Sequence, residues 1–173
     1  PPRPISPYYV WGCNFAIRKD VLLQAGGFHP DGMPQELIRF RGDGETHVSR
    51  FVAESGLKCL FHPGASVYHK VTPERMTHAY FRQRGFNQGV SDSYTALRAE
   101  TARVAPPRSW PYRVARWGWR QLRAAVSRLQ TPATAKRALE EFAFGHQEGY
   151  SFHQHAYQAD PEVREWVHRE RYF

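Results

Sequence analysis

The sequence predicts an α/β fold followed by a mostly α-helical extension, and three observations carry that expectation. Short stretches dense in β-branched and aromatic residues alternate with capped helical segments over residues 1–101. Two prolines at 106 and 107 then break any helix, and the composition changes. Beyond them the chain reads as successive helices, so residues 1–101 form one predicted unit and 102–173 a helical extension.

Each element has its own signal. Tyr8 to Ile17 is rich in strand-forming residues interrupted by Gly12 and Asn14, which predicts a strand bulged or turned at the glycine. A short helix begins near Lys19 and stops at Gly26 and Gly27. Residues 29–41 have no clean period and read as a loop. From Thr46, Val48, Phe51 and Val52 fall on one helical face, with His47 toward solvent, and Gly56 ends that helix. LKCLF and ASVYH read as two short strands around the turn at His62-Pro63-Gly64. Thr72-Pro73-Glu74 predicts a helix start with Thr72 as N-cap and Met76, Ala79, Tyr80 and Phe86 turned inward. In the extension, residues 110–129 form a basic amphipathic helix bearing Trp117 and Trp119, Thr131-Pro132 opens another, and Asp160-Pro161-Glu162 opens a last one ending near Arg169.

At 173 residues, with 41% apolar and 14% aromatic content, the chain can bury a real core. A formal net charge of +8 and a pI near 9.8 point to an anionic partner, without choosing among nucleic acid, a nucleotide or phosphorylated ligand, and an acidic membrane face. Cys13 and Cys59 are too few for a disulfide scaffold and lack metal-ligand spacing, which predicts a reducing, cytoplasmic setting. No stretch of about 18 apolar residues spans a bilayer. The proline-rich start without an initiator Met is what a piece of a longer chain would show.

The stretch RFRGDGETHVSRF places Asp43 and Glu45 in a glycine-framed turn directly before a helix. Acids make good caps and glycines good turns, so a structural explanation is available. An Arg41-Gly42-Asp43 tripeptide of the adhesion type also occurs, although such a role would go with secretion and disulfides. The third possibility is a catalytic base.

Four pieces in order bear on that choice: Gly12-Cys13-Asn14-Phe15-Ala16-Ile17-Arg18, Gly26-Gly27-Phe28, Gly42-Asp43-Gly44-Glu45, and Pro63-Gly64-Ala65-Ser66-Val67-Tyr68-His69. Together they resemble the acceptor half of a family 2 glycosyltransferase of GT-A fold, whose members read G-x-N-x-x-x-R, G-G-F, an E-D pair opening a helix, and P-x-A-x-V-x-H. The resemblance covers residues 9 to about 90, and Glu148-Gly149-Tyr150, Asp160-Pro161 and Trp166 look like the helical C-terminal extension of some members. It implies a partial GT-A sheet with flanking helices, and inverting transfer of a sugar from a nucleotide-sugar donor to the hydroxyl of a glycan or lipid-linked acceptor. In that reaction a carboxylate takes the acceptor proton, which is worth roughly 10²–10⁴ in rate, while a cation steadies the departing diphosphate.

The resemblance also distributes roles. The family acid lies three residues before an apolar helix position; counting back from Val48 gives Glu45, with Asp43 as its partner or as the base of a differently shaped turn. Trp11, Gly12 and Asn14 would flank the acceptor, and Arg75, Arg82 and Arg84 could reach phosphates. His69 is the candidate ligand to a Mg2+ or Mn2+ ion held mostly by the family's preceding nucleotide-binding half. That half carries an Asp-x-Asp motif, which this sequence lacks, so the chain alone is expected not to transfer sugar. Residues 110–129 would pack on the catalytic unit or rest peripherally on the inner face of an anionic membrane. The alternative is a basic aromatic module binding nucleic acid or protein; acids framed by glycine would repel phosphate, so no nucleic-acid partner is expected.

Overall fold

The computed structural model describes residues 1–10, 12–101 and 132–173. Among these residues it is mostly helical, with one small antiparallel sheet of two strands. The strands are β1 (Arg3–Ile5) and β2 (Cys59–Phe61), paired Arg3 to Phe61, Pro4 to Leu60 and Ile5 to Cys59. The helices are α1 (Lys19–Gln24), α2 (Glu45–Glu54), α3 (His78–Thr101), α4 (Ala133–Ala159) and α5 (Pro161–His168).

Where local chemistry decides, the elements fall as the sequence predicts. α1 stops before Gly26 and Gly27, α2 runs to the turn at Gly56, and β2 lies within LKCLF. Asp160 caps α5 by accepting a hydrogen bond from the Glu162 N–H at 2.9 Å.

Four expectations need correction. Tyr8 to Ile17 is not a strand: Pro7–Tyr9 and Gly12–Asn14 form 3-10 turns, because Pro7 presets a turn and Gly12 and Asn14 interrupt the extended run. The stretch 65–69 forms no ladder among the described residues and is exposed throughout, its Ala65 carbonyl accepting instead from Asn14 Nδ2 at 2.7 Å. The cap of the long third helix is Thr77 rather than Thr72. Residues Pro73–Met76 make a separate 3-10 turn, and Thr77 Oγ1 accepts from the Tyr80 N–H at 3.2 Å. That later start leaves Met76 outside the helix and 66% exposed, so it does not point inward. Residues 29–41 also contain a 3-10 segment, Gln35–Phe40, which buries Ile38 and Phe40. The predicted helix at 110–129 and the break at 106 and 107 lie outside the described residues.

Packing of α3 against α4 dominates the fold. Gly85, Gly89, Ser93 and Leu97 recur every four residues on α3 and are all buried. They meet a matching α4 stripe of Gly145, Gly149 and His153. A methyl group on any of the four glycines would sit 2.0–2.1 Å from a carbonyl oxygen of the other helix. The backbones therefore touch directly, at a distance only glycine permits. Pairing advances along both helices in the same sense, 85 with 142 and 146, then 89 with 146 and 150, so the two run parallel.

Beyond the glycines the core closes around Phe40, Tyr94, Leu97, Val163 and Val167. Trp166 packs edge-on against Phe40 at 5.4 Å and donates its indole N–H to the Phe40 carbonyl at 2.7 Å. Residues on both sides of the predicted 101/102 boundary thus share one core.

Candidate functional site

A cleft of about 460 Å³ opens between the start of α2 and the middle of α3, with Tyr8 and Val10 contributing to its lining. Two helical stripes supply most of its walls. On α2 they are Glu45, Thr46 and Ser49; on α3 they are Arg84, Gln88, Ser91 and Thr95, spaced to fall on one face. The same helix therefore presents glycines to α4 and polar groups to the cleft.

Glu45 is the first residue of α2, and its Oε1 accepts a hydrogen bond from the Gly12 N–H at 3.1 Å. Its Oε2 has no hydrogen-bond partner among the described residues. Gly44, at φ 56°, makes the turn that aims it: the backbone enters the left-handed region, and a side chain there would press on the Asp31 carboxylate.

Asp43 lies behind this surface, with its side chain only 5% exposed. His29 Nδ1 lies 2.6 Å from Oδ1, Thr95 Oγ1 donates to Oδ2 at 3.0 Å, and Arg50 stands 3.9 Å away. Burial alone would raise the carboxyl's pKa. The His29 hydrogen bond, with Thr95 and Arg50, outweighs it and holds the group below the usual carboxylate value. His29 is itself buried, stacked on His47 at 3.8 Å, and its Nε2 has no partner among the described residues. His47, expected toward solvent, is half-buried and its Nε2 lies 2.7 Å from the Ala25 carbonyl. Desolvation depresses its pKa against the opposing effect of that carbonyl.

The remaining predicted residues separate. Asn14 spends its amide on the Ala65 carbonyl. Arg75 donates to Tyr80 Oη at 2.8 Å. Arg82 grips Glu148 through two hydrogen bonds of 3.1 and 3.2 Å and lies over the Phe144 ring, so it fastens α3 to α4. Of the three arginines only Arg84 lines the cleft. His69 is exposed, and its Nε2 faces Arg75 Nη1 at 3.5 Å. Trp11 lies outside the described residues.

Sequence reasoning noted Arg41 only within the adhesion-type tripeptide and did not single out Ser91, Gln88 or Thr95. Arg41 ion-pairs with Asp31 and donates to Ser91 Oγ at 3.1 Å, and all three line the cleft. The signal that could have found the α3 residues is their spacing from Arg84.

No group of three or more His, Cys, Asp or Glu able to hold a metal ion occurs among the described residues. A guanidinium beside His69 also disfavours a cation there. Nor is any helix among the described residues long and apolar enough to cross a membrane. Comparison with protein-family models, with curated proteins and with solved structures gave no match to this chain.

Proposed function

We propose that the chain forms the acceptor side of an inverting glycosyltransferase of GT-A type, with Glu45 as general base. In this reading α1, α2, β2 and the start of α3 belong to the GT-A unit, and residues 133–173 are its helical extension. The acceptor lies in the cleft with its hydroxyl against Glu45. As that oxygen bonds to the anomeric carbon of a nucleotide-sugar, the bond from that carbon to the diphosphate oxygen breaks. The hydroxyl proton passes to Glu45. No step is assigned to a metal ion.

One observation supports the base assignment above the rest: Glu45 faces the cleft from a helix start with one oxygen steadied and the other unengaged among the described residues. Asp43 also lines the cleft, but both its oxygens are occupied and its side chain is only 5% exposed. Its role is to hold the turn. The cleft's other groups are hydroxyls, an amide and charged side chains, the set that recognises a polyhydroxylated ligand.

Carbohydrate binding tests the reading. Backbone-amide NMR spectra of the 173-residue chain, titrated with neutral and acidic methyl glycosides, are expected to shift at Glu45, Thr46, Gln88 and Ser91. Glu45→Gln should keep that binding, since a base is not needed for affinity. If no glycoside shifts these amides while single-stranded oligonucleotides bind with steep salt dependence, the chain is a nucleic-acid module instead.

A further inference from the structure

Charge bookkeeping inside the cleft narrows the ligand class. Four carboxylates and two guanidiniums line it: Asp31, Asp43, Glu45 and Asp92 against Arg41 and Arg84. Most of these already have partners within the protein. Asp31 pairs with Arg41, and Asp43 with His29, Thr95 and Arg50. Asp92 accepts from Gln88 Nε2 at 2.8 Å and lies 2.8 Å from His146 Nε2. What remains is one acid, Glu45, and one cation, Arg84, which forms no hydrogen bond or ion pair among the described residues.

The backbone that carries Arg84 is held firmly. Its neighbour Gly85 packs against the Phe142 carbonyl so closely that a methyl group would sit 2.1 Å from the oxygen, and Arg82 is clamped to Glu148. Neither turn of α3 around Arg84 can slide or rotate without breaking the helix crossing. The Arg84 guanidinium carries the planar fork that suits a bidentate partner such as a carboxylate.

Resting on the glycosyltransferase reading, we propose that Arg84 recognises the carboxylate of an acidic sugar, so that the acceptor is a uronic acid residue rather than a neutral sugar or a sugar phosphate. A singly charged, planar carboxylate matches one guanidinium fork. A phosphate near two negative charges would exceed the one cation left unpaired among the described residues and face the unpaired carboxylate oxygen of Glu45. The uronate's ring hydroxyls lie on the same scaffold as its carboxylate, which suits a site holding Arg84 and Glu45 in one cleft.

The test compares matched methyl glycosides and methyl uronides of the gluco and galacto series, with glucose 6-phosphate as a third arm, by amide NMR titration of the native chain. At least one uronide should bind about tenfold or more tightly than its neutral counterpart, the scale of a hydrogen-bonded charge pair. Arg84→Gln should abolish that preference, Arg84→Lys should recover part of it, and Arg75→Gln should leave it intact. Far-UV circular dichroism confirms that each variant is folded. Equal binding of uronide and neutral sugar, a preference that survives Arg84→Gln, or tighter binding of the sugar phosphate overturns the inference and leaves the glycosyltransferase reading standing. Failure of every carbohydrate to bind overturns both.

Discussion

Replacing Gly89 by alanine tests the helix crossing on which the cleft is built. The new methyl carbon would lie 2.0 Å from the His146 carbonyl oxygen and 2.7 Å from the Tyr150 nitrogen. Real Cβ atoms essentially never approach nearer than 3.0 Å, so α3 and α4 must part by about 1 Å, the difference between 3.0 and 2.0. No side-chain rotation relieves this, since the opposing atoms are backbone and Gly145 and Gly149 are pressed equally closely on Arg82 and Phe86. Helix propensity acts the other way and favours alanine by about 1 kcal/mol. Overpacking ordinarily costs about 1–3 kcal/mol. Parting two backbones by about 1 Å also forfeits a quarter to a half of each dispersion contact along the seam. With the lost dispersion offsetting the gain in propensity, the upper end of the overpacking cost remains, a loss of about 3 kcal/mol. Urea unfolding followed by far-UV circular dichroism measures it, with Gly32→Ala as a control, since no atom lies within 4 Å of a methyl there. Gly89→Ala as stable as the native chain, or more stable as propensity alone would make it, refutes the backbone contact.

Two further perturbations separate the buried groups from those facing the cleft. His153 is fully buried beside Ser93 Oγ at 2.8 Å, and desolvation pushes its pKa down to about 4 from an ordinary 6.5. The folded state then binds fewer protons than the unfolded one between those values, so stability is present above pH 6.5 and lost as pH falls toward 4. Urea titrations should show about 2 kcal/mol less stability at pH 5 than at pH 7, and about 3 kcal/mol less once the pH is below 4; a flat profile from pH 7 to 5 contradicts the burial. Asp43→Asn removes a buried, hydrogen-bonded charge and should cost about 3 kcal/mol. Glu45→Gln keeps an oxygen for the Gly12 N–H and should stay within about 1 kcal/mol. Melting curves that fall equally for both would show that Glu45 is as structural as Asp43.

Legibility followed the range of the interaction. The start of α5 is written in Asp160-Pro161-Glu162, and the turn into α2 in Gly44, because each is decided by neighbours a few residues away. The supposed strands at 8–17 and 65–69 failed because a strand needs a partner, and both stretches met something else: a proline-set turn and the Asn14 amide. Arg82 and Arg84 look alike in sequence. What divides them is Glu148, 66 positions away in the chain from Arg82, which claims one arginine and leaves the other to the cleft. The glycines at 85, 89, 145 and 149 are plain to read, yet propensity alone marks glycine as a weak point in a helix. Only the approach of a second backbone makes it a requirement.

The acid turn owes its shape to the far end of the chain. Tyr172 Oη bonds Tyr94 Oη at 2.7 Å and donates to the Trp166 carbonyl at 2.6 Å, and its N–H reaches the Gly26 carbonyl. Both tyrosine rings flank His29, at 5.3 and 5.1 Å, and His29 in turn holds Asp43. Burial raises the pKa of both phenols, so they stay protonated and keep these bonds at any physiological pH. The path from the C-terminal segment to the turn is therefore continuous: Tyr172, Tyr94, His29, Asp43, and then through Gly44 to Glu45. α3 completes it from the other side, since Thr95 holds Asp43 while Arg84, about three turns earlier on the same face, lines the cleft. A residue facing the cleft can thus change with little effect on stability, whereas the groups that set its direction are buried in a core assembled from both ends of the chain.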